Sequence, residues 1–188
     1  MKDNLIMAKI ANELNQYNII YAMGASKLLE RYGLIEKSSD IDIFVIEEHF
    51  FKTLEILDSM GLQKDLTFDS GYLTKYLYEY EVDKVEVNIV AGMNMRHDRG
   101  IFKFTFDRNS IDSYWDFQGI KIPYMALEDW FVLYHIMPGK LEYAKKVTSY
   151  LVKKENVNIY LLERNLEKSL PTLAEDNLKR LISLKKKK

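Results

Sequence analysis

Apolar residues recur at helical spacing from the start of the chain. Over residues 3–16, Leu5, Ile6, Ala8, Ile10, Ala11 and Leu14 share one side, which predicts an amphipathic helix. Residues 18–23 then read as a short buried strand, because Ile19 to Met23 are apolar without a break. Gly24 ends that run and turns the chain into a short amphipathic segment over 26–32. The polar turn Lys37-Ser38-Ser39 leads into a second strand over 40–46. Successive side chains of a strand point to opposite faces, so Asp40 and Asp42 share one face while Ile41 and Ile43 share the other. Residues 48–60 predict a helix that turns Phe51, Leu54, Leu57 and Met60 inward and closes at Gly61.

Beyond Gly61 the period changes to two. Residues 73–80 and 82–90 predict two strands joined by a tight turn. Alternation in the second puts Glu86 and Asn88 on one face, and Val85, Val87 and Ile89 on the other. A loop of mixed charge is expected over 91–100, with short strands over 101–106 and 120–123. From Ala126 the texture is helical, with segments over 127–137, 141–152, 157–166 and 173–184. The expected class is α+β: a mixed sheet flanked by helices over residues 1–124, followed by a helical region over 125–188. There is no internal repeat.

Composition narrows the classes. The chain is 47% hydrophobic and 29% charged, which is ordinary for a packed domain. A net charge of −1 gives no basic field for nucleic acid. The run Lys185 to Lys188 reads as a solvated, frayed end rather than a binding arm. With no cysteine there are no disulfides and no thiolate metal sites, which fits a reducing cytoplasm. The N-terminal segment lacks the apolar core of a signal peptide, and no stretch approaches the roughly 20 apolar residues of a membrane helix.

The chemistry concentrates between Gly24 and Glu86. Two carboxylates held side by side repel each other unless a cation joins them, and oxygen donors suit Mg²⁺ or Mn²⁺. The plain alternative is a strand end bearing two solvated acids. A glycine at a strand-to-helix turn lets backbone N–H groups approach a phosphate. Carboxylates on neighbouring strands can hold two divalent cations on the attacking and leaving oxygens of a phosphoryl transfer.

The ordered set Met23-Gly24-Ala25-Ser26, Asp40-Ile41-Asp42 and Glu86 resembles the signature of the nucleotidyltransferase superfamily, the DNA polymerase β-like fold. The run from Gly119 to Asp129, followed by Gly139-Lys140, is similar to the approach to the C-terminal helices of small bacterial members. Two positions depart from the pattern. Ala25 stands where the family prefers Gly or Ser, and Glu86 stands where the later acid is more usually Asp. The resemblance implies that Asp40, Asp42 and Glu86 hold Mg²⁺ or Mn²⁺ and carry catalysis. It implies that Glu86 accepts the acceptor's proton, and that Gly24 and Ser26 contact the NTP phosphates. Lys27 and Arg31 would assist phosphate binding or form the solvated face of their helix. For Glu86 the alternative is a solvent-facing acid paired with Lys84.

Other polar and aromatic groups are less directed. His49, His97 and His135 do not cluster, and His135 reads as a packed core or interface residue. Arg96, His97 and Arg99 lie in the expected loop, where they meet an anionic ligand or remain solvated. Tyr72, Tyr76, Tyr78 and Tyr80 form either a base-stacking wall or a packing face.

The expected activity is Mg²⁺-dependent transfer of an NMP from an NTP to a hydroxyl of a small molecule or protein. The alternative is a catalytically degenerate binding module of the same fold, such as a toxin–antitoxin component with a protein partner. A metal-dependent glycosyltransferase is a third reading, although that class usually has a much longer chain.

Overall fold

The computed structural model describes residues 2–64 and 73–187, so Tyr72 and Lys188 lie outside the described residues. Two compact units are present. Of the described residues, the first takes 2–64, 74–93 and 105–125, and the second takes 73, 94–104 and 126–187. No helix among the described residues is long and apolar enough to cross a membrane.

The first unit is built on a mixed sheet. Its strands are β1 (Tyr21–Met23), β2 (Ile41–Val45), β3 (Leu62–Lys64), β4 (Tyr76–Val82) and β5 (Val85–Ala91). A small hairpin of β6 (Asn94–His97) and β7 (Gly100–Lys103) belongs to the second unit. The sheet is completed by β8 (Ile111–Phe117) and β9 (Ile120–Met125). The spatial order is β3-β4-β5-β2-β1-β9-β8, with β2/β5 and β1/β9 parallel and the other pairs antiparallel. Three helices accompany it: α1 (Lys2–Gln16), α2 (Ala25–Arg31) and α3 (Phe50–Asp58). α1 packs on β9 and α3, burying Ile6, Met7, Ile10 and Leu14 while Leu5 stays half exposed.

The central strands separate their faces sharply. Ile41, Ile43, Val87 and Ile89 are fully buried on one side of β2 and β5. Residues directly opposite in a sheet share a face, so Tyr78 and Tyr80, facing Ile89 and Val87, lie on that same side. There α3 covers them. Phe50 stacks on Tyr76 with centroids 4.5 Å apart and meets Tyr78 edge-on, and the Tyr80 hydroxyl donates to Asp58 at 2.7 Å. The tyrosines are therefore a packing face, turned away from Asp42, Glu86 and Asn88. The inward set expected for α3 holds at Leu57, is half-buried at Leu54 and Met60, and fails at Phe51. Phe50, Thr53, Ile56 and Leu57 are buried, while Phe51 is 60% exposed. A 3₁₀ turn over Glu47–His49 sets the phase, and the Thr53 hydroxyl enters the core because it donates to the His49 carbonyl at 2.9 Å.

The turn between β4 and β5 falls at Asp83-Lys84, not at Glu81. Both residues are left-handed, with φ of 49° and 64°, the geometry of a two-residue hairpin that matches strand twist. Glu81 consequently remains in the ladder, directly opposite Glu86. The mixed-charge loop expected over 91–100 is in part the β6–β7 hairpin.

In the second unit, α4 (Leu127–Ile136) packs with α5 (Leu141–Lys153), α6 (Ile159–Leu166) and α7 (Thr172–Lys186). Eight successive residues of α4, Leu127 to Tyr134, are buried, including Glu128 and Asp129. Burial of charge requires compensation. Glu128 Oε1 accepts from Lys154 Nζ at 3.1 Å and from the Asn158 N–H at 3.0 Å. Asp129 accepts from Arg164 Nη2 at 3.3 Å and from Asn165 Nδ2 at 2.8 Å. α7 runs to Lys186, where a frayed end was expected, and Lys185 donates to the Val152 carbonyl at 2.9 Å.

Candidate functional site

The site grows out of a three-residue strand. β1 pairs with β2 through Met23 and Ile43, and the Gly24 N–H extends that ladder by donating to the Asp42 carbonyl at 2.9 Å. The chain then turns into α2. The residue in the left-handed region is Ala25, at φ +43°, while Gly24 is extended at φ −125°. An L-residue with a Cβ is strained there, so the departure at Ala25 falls on the position that most favours glycine.

Ser26, one residue further, faces Asp40. Its hydroxyl donates to Asp40 Oδ1 at 3.0 Å, and the Ser39 hydroxyl donates to the same oxygen at 2.7 Å. Asp42 sits in β2 directly beside Asn88 of the parallel strand β5. The Asn88 amide donates to Asp40 Oδ2 at 3.3 Å and to Asp42 Oδ1 at 3.1 Å. Asp40, Asp42, Ser26 and Asn88 are thus gathered into one half-buried polar cluster beside the Gly24 turn. The sequence reading assigned no role to Asn88. Its signal was its place two residues from Glu86 on the polar face of β5.

The other expected site residues lie as follows. Glu86 is exposed, one residue pair along the same face, opposite Glu81. Its pKa is raised, first by partial burial and then by the negative charges of Glu79 and Asp40, with Lys64 opposing. Lys64 pairs with Glu79 at 3.1 Å and Glu81 at 3.6 Å. Among the described residues no three His, Cys, Asp or Glu side chains gather closely enough to hold a metal ion. Glu86 therefore does not join Asp40 and Asp42 in one cluster. Lys27 is only 3% exposed, and its ammonium meets Asp3 at 3.1 Å and Glu30 at 3.0 Å, fastening α2 to α1. Arg31 lies over the Tyr124 ring, 4.7 Å from its centroid. In the second unit, Arg99 pairs with Glu175, and His97 Nε2 lies 3.2 Å from the Ser169 carbonyl. His49 Nδ1 accepts from the Ile20 N–H at 2.9 Å.

The donor set has the chemistry of a hard-cation site. Asp40 and Asp42 offer carboxylate oxygens on one face, their orientations fixed by Ser26, Ser39 and Asn88. Oxygen ligands held this way suit Mg²⁺ or Mn²⁺.

No protein-family model and no curated protein matches the chain. Solved structures do. A Thermotoga maritima protein described as a candidate nucleotidyltransferase superposes with a TM-score of 0.61 at 20% identity, over 81% of this chain and 94% of its own. The chain has the nucleotidyltransferase fold. ANT(2″)-Ia, solved with adenylyl-2″-tobramycin, shares that fold with a TM-score of 0.54 at 13% identity, over 80% of this chain and 90% of its own. The lincosamide antibiotic adenylyltransferase LnuA, lincomycin-bound, gives 0.50 at 15% identity, over 79% of this chain and 97% of its own. Within the nucleotidyltransferase fold of this chain, the Asp-x-Asp motif spans the start of β2 and the Gly24 turn connects β1 to α2.

Proposed function

We propose that this protein transfers a nucleoside monophosphate from an NTP to a hydroxyl of a small molecule, with Asp40 and Asp42 holding a divalent cation. The observation that carries this is the pair of Asp-x-Asp carboxylates on one face of β2, oriented by Ser26 and Asn88 beside the Gly24 turn. The adenylylated tobramycin and the lincomycin in the two antibiotic-related structures support a small-molecule acceptor. A protein side chain is the other acceptor compatible with the chemistry.

A bound divalent cation would neutralise charge on the triphosphate and stabilise the departing pyrophosphate. The chain's own groups do the rest. Asp40 and Asp42 provide the anionic seat, and Ser26 and Ser39 keep the Asp40 carboxylate from rotating. The Gly24-Ala25 turn presents backbone to the phosphates. Attack by the acceptor oxygen at the α-phosphorus releases pyrophosphate and a proton. Glu86, exposed on the same face and outside the cluster, is the carboxylate we assign to receive that proton.

One observation favours a catalytically silent binding module instead: no third carboxylate gathers with Asp40 and Asp42 among the described residues. Thermal unfolding with each NTP, with and without Mg²⁺, separates the readings. An enzyme gives stabilisation that needs both Mg²⁺ and the two aspartates, together with pyrophosphate release when the acceptor is supplied. NTP binding that survives in Asp40→Ala/Asp42→Ala without metal rules out the cation site.

A further inference from the structure

We infer that Asn88, not Glu86, completes the divalent-cation site, through its amide oxygen, as a neutral ligand where a carboxylate would add a third charge. This rests on the nucleotidyltransferase reading of Asp40 and Asp42.

Three observations carry it. The first is register. In the parallel pairing of β2 with β5, Asn88 stands directly beside Asp42, whereas Glu86 lies two residues away, opposite Glu81 on the far strand. The second is distance. Asn88 Nδ2 is 3.3 Å from Asp40 Oδ2 and 3.1 Å from Asp42 Oδ1. Octahedral Mg²⁺ with oxygens at about 2.1 Å has neighbouring ligands about 3 Å apart. The atom that now bridges the two carboxylates is thus spaced from both as a third ligand of the same ion would be. A half-turn of the amide exchanges its nitrogen for its oxygen at that point without moving the backbone. The metal-free carboxylates call for the NH₂ group, and a metal calls for the carbonyl oxygen. The third observation is burial and bonding. Glu86 is exposed and faces Glu81 across the sheet, while Asn88 is half-buried, faces Glu79 on β4 and is hydrogen-bonded to both aspartates.

The consequence is a difference in charge. Two carboxylates and an amide carry −2, which one divalent cation balances. The free protein then binds a single such ion, less tightly than a three-carboxylate site would. A second ion arrives only with the triphosphate.

The test is Mn²⁺ binding to the full chain, read from the free-ion electron paramagnetic resonance signal. We expect one site. Asn88→Leu weakens it at least about tenfold, the scale on which ligand-shell changes act. Asn88→Asp, which keeps the shape of the side chain and so protects the fold, tightens it about tenfold or more because ligand charge sets affinity. Glu86→Gln leaves it within about twofold. A ligating amide is distinguished from one that only positions the acids by its own NMR signals. On adding Mg²⁺ the Asn88 side-chain NH₂ loses its carboxylate partners, and its exchange with water accelerates. Weakening by Glu86→Gln with no effect of Asn88→Leu or Asn88→Asp overturns the inference, as does an NH₂ signal that stays protected in Mg²⁺. Asp42→Asn is the control for the underlying reading. If it binds Mn²⁺ as well as the wild type does, the cation site itself is wrong, and not only the role of Asn88.

Discussion

Asp129 is a carboxylate with no exposed surface, and its removal should be among the costliest single changes in the helical unit. It sits in the first turn of α4, where a negative charge is also favoured by the helix N-terminus. Its oxygens accept from Arg164 Nη2, both at 3.3 Å, and from Asn165 Nδ2 at 2.8 Å. The Arg164 side chain is only 11% exposed, so Asp129→Leu takes a carboxylate away from a guanidinium that water reaches poorly. Stranding one member of a buried pair costs about 3–5 kcal/mol, whereas replacing both by apolar groups is often neutral. The expected result is a loss of about 3–5 kcal/mol in Asp129→Leu, most of it restored in Asp129→Leu/Arg164→Met. For a chain of this size that is a fall in Tm of roughly 6–20 °C in the single variant. Trp130, buried next in sequence, reports the transition by fluorescence, and a Trp115→Phe background removes the signal of the only other tryptophan. Urea titrations should show the midpoint moving at constant slope. A single variant losing under about 1 kcal/mol, or a double variant no better than the sum of its singles, would refute the pairing argument.

Three further outcomes follow from local geometry. Ala25→Gly should stabilise the chain by roughly 0.5–1 kcal/mol in urea unfolding, because relief of about 1–2 kcal/mol of left-handed strain exceeds glycine's added chain entropy of about 0.5–1 kcal/mol. Gly61→Ala should destabilise by about 1–3 kcal/mol, since a Cβ there would lie 2.6 Å from the Glu81 carbonyl oxygen and 2.8 Å from Val82 Cγ2. An unchanged Tm would show that β4 yields at this point. His135 has its pKa lowered from 6.5 by burial, against the opposing Phe131 carbonyl. The unfolded chain therefore takes up a proton that the folded imidazole resists. Stability is full above about pH 6.5 and falls as pH drops below it, and His135→Phe should flatten that segment of the stability–pH curve.

How much of this was legible in the sequence depends on what each feature obeys. The C-terminal helices were, because apolar spacing and the Pro138-Gly139 break act locally. So were the two faces of β5, where Val85, Val87 and Ile89 point one way and Glu86 and Asn88 the other. The edge strand β8 was not. Its residues alternate between half-buried and exposed and none is fully buried, and what makes it a strand is its pairing with β9. Strand β6 was hidden for a related reason. Asn94 to His97 read as a polar loop, yet Met95 is 2% exposed and Phe102, its cross-strand partner, is fully buried.

The candidate site divides along the same line. Alternation within one strand says which residues share a face, but it says nothing of which residue on the next strand stands beside them. Both Glu86 and Asn88 satisfied the pattern, and Glu86 had the chemistry usually sought at such a place. Register decides which of them stands beside Asp42. Pairing Ile41 with Val87 and Ile43 with Ile89 seals the apolar face, and the same pairing brings Asn88 to Asp42. A slip of two residues would set Glu86 beside Asp42 but would bring Val85, 9% exposed at the hairpin end, against Ile41 in place of Val87, which is fully buried. The core on one face of the sheet thereby decides which residue stands beside Asp42 on the other.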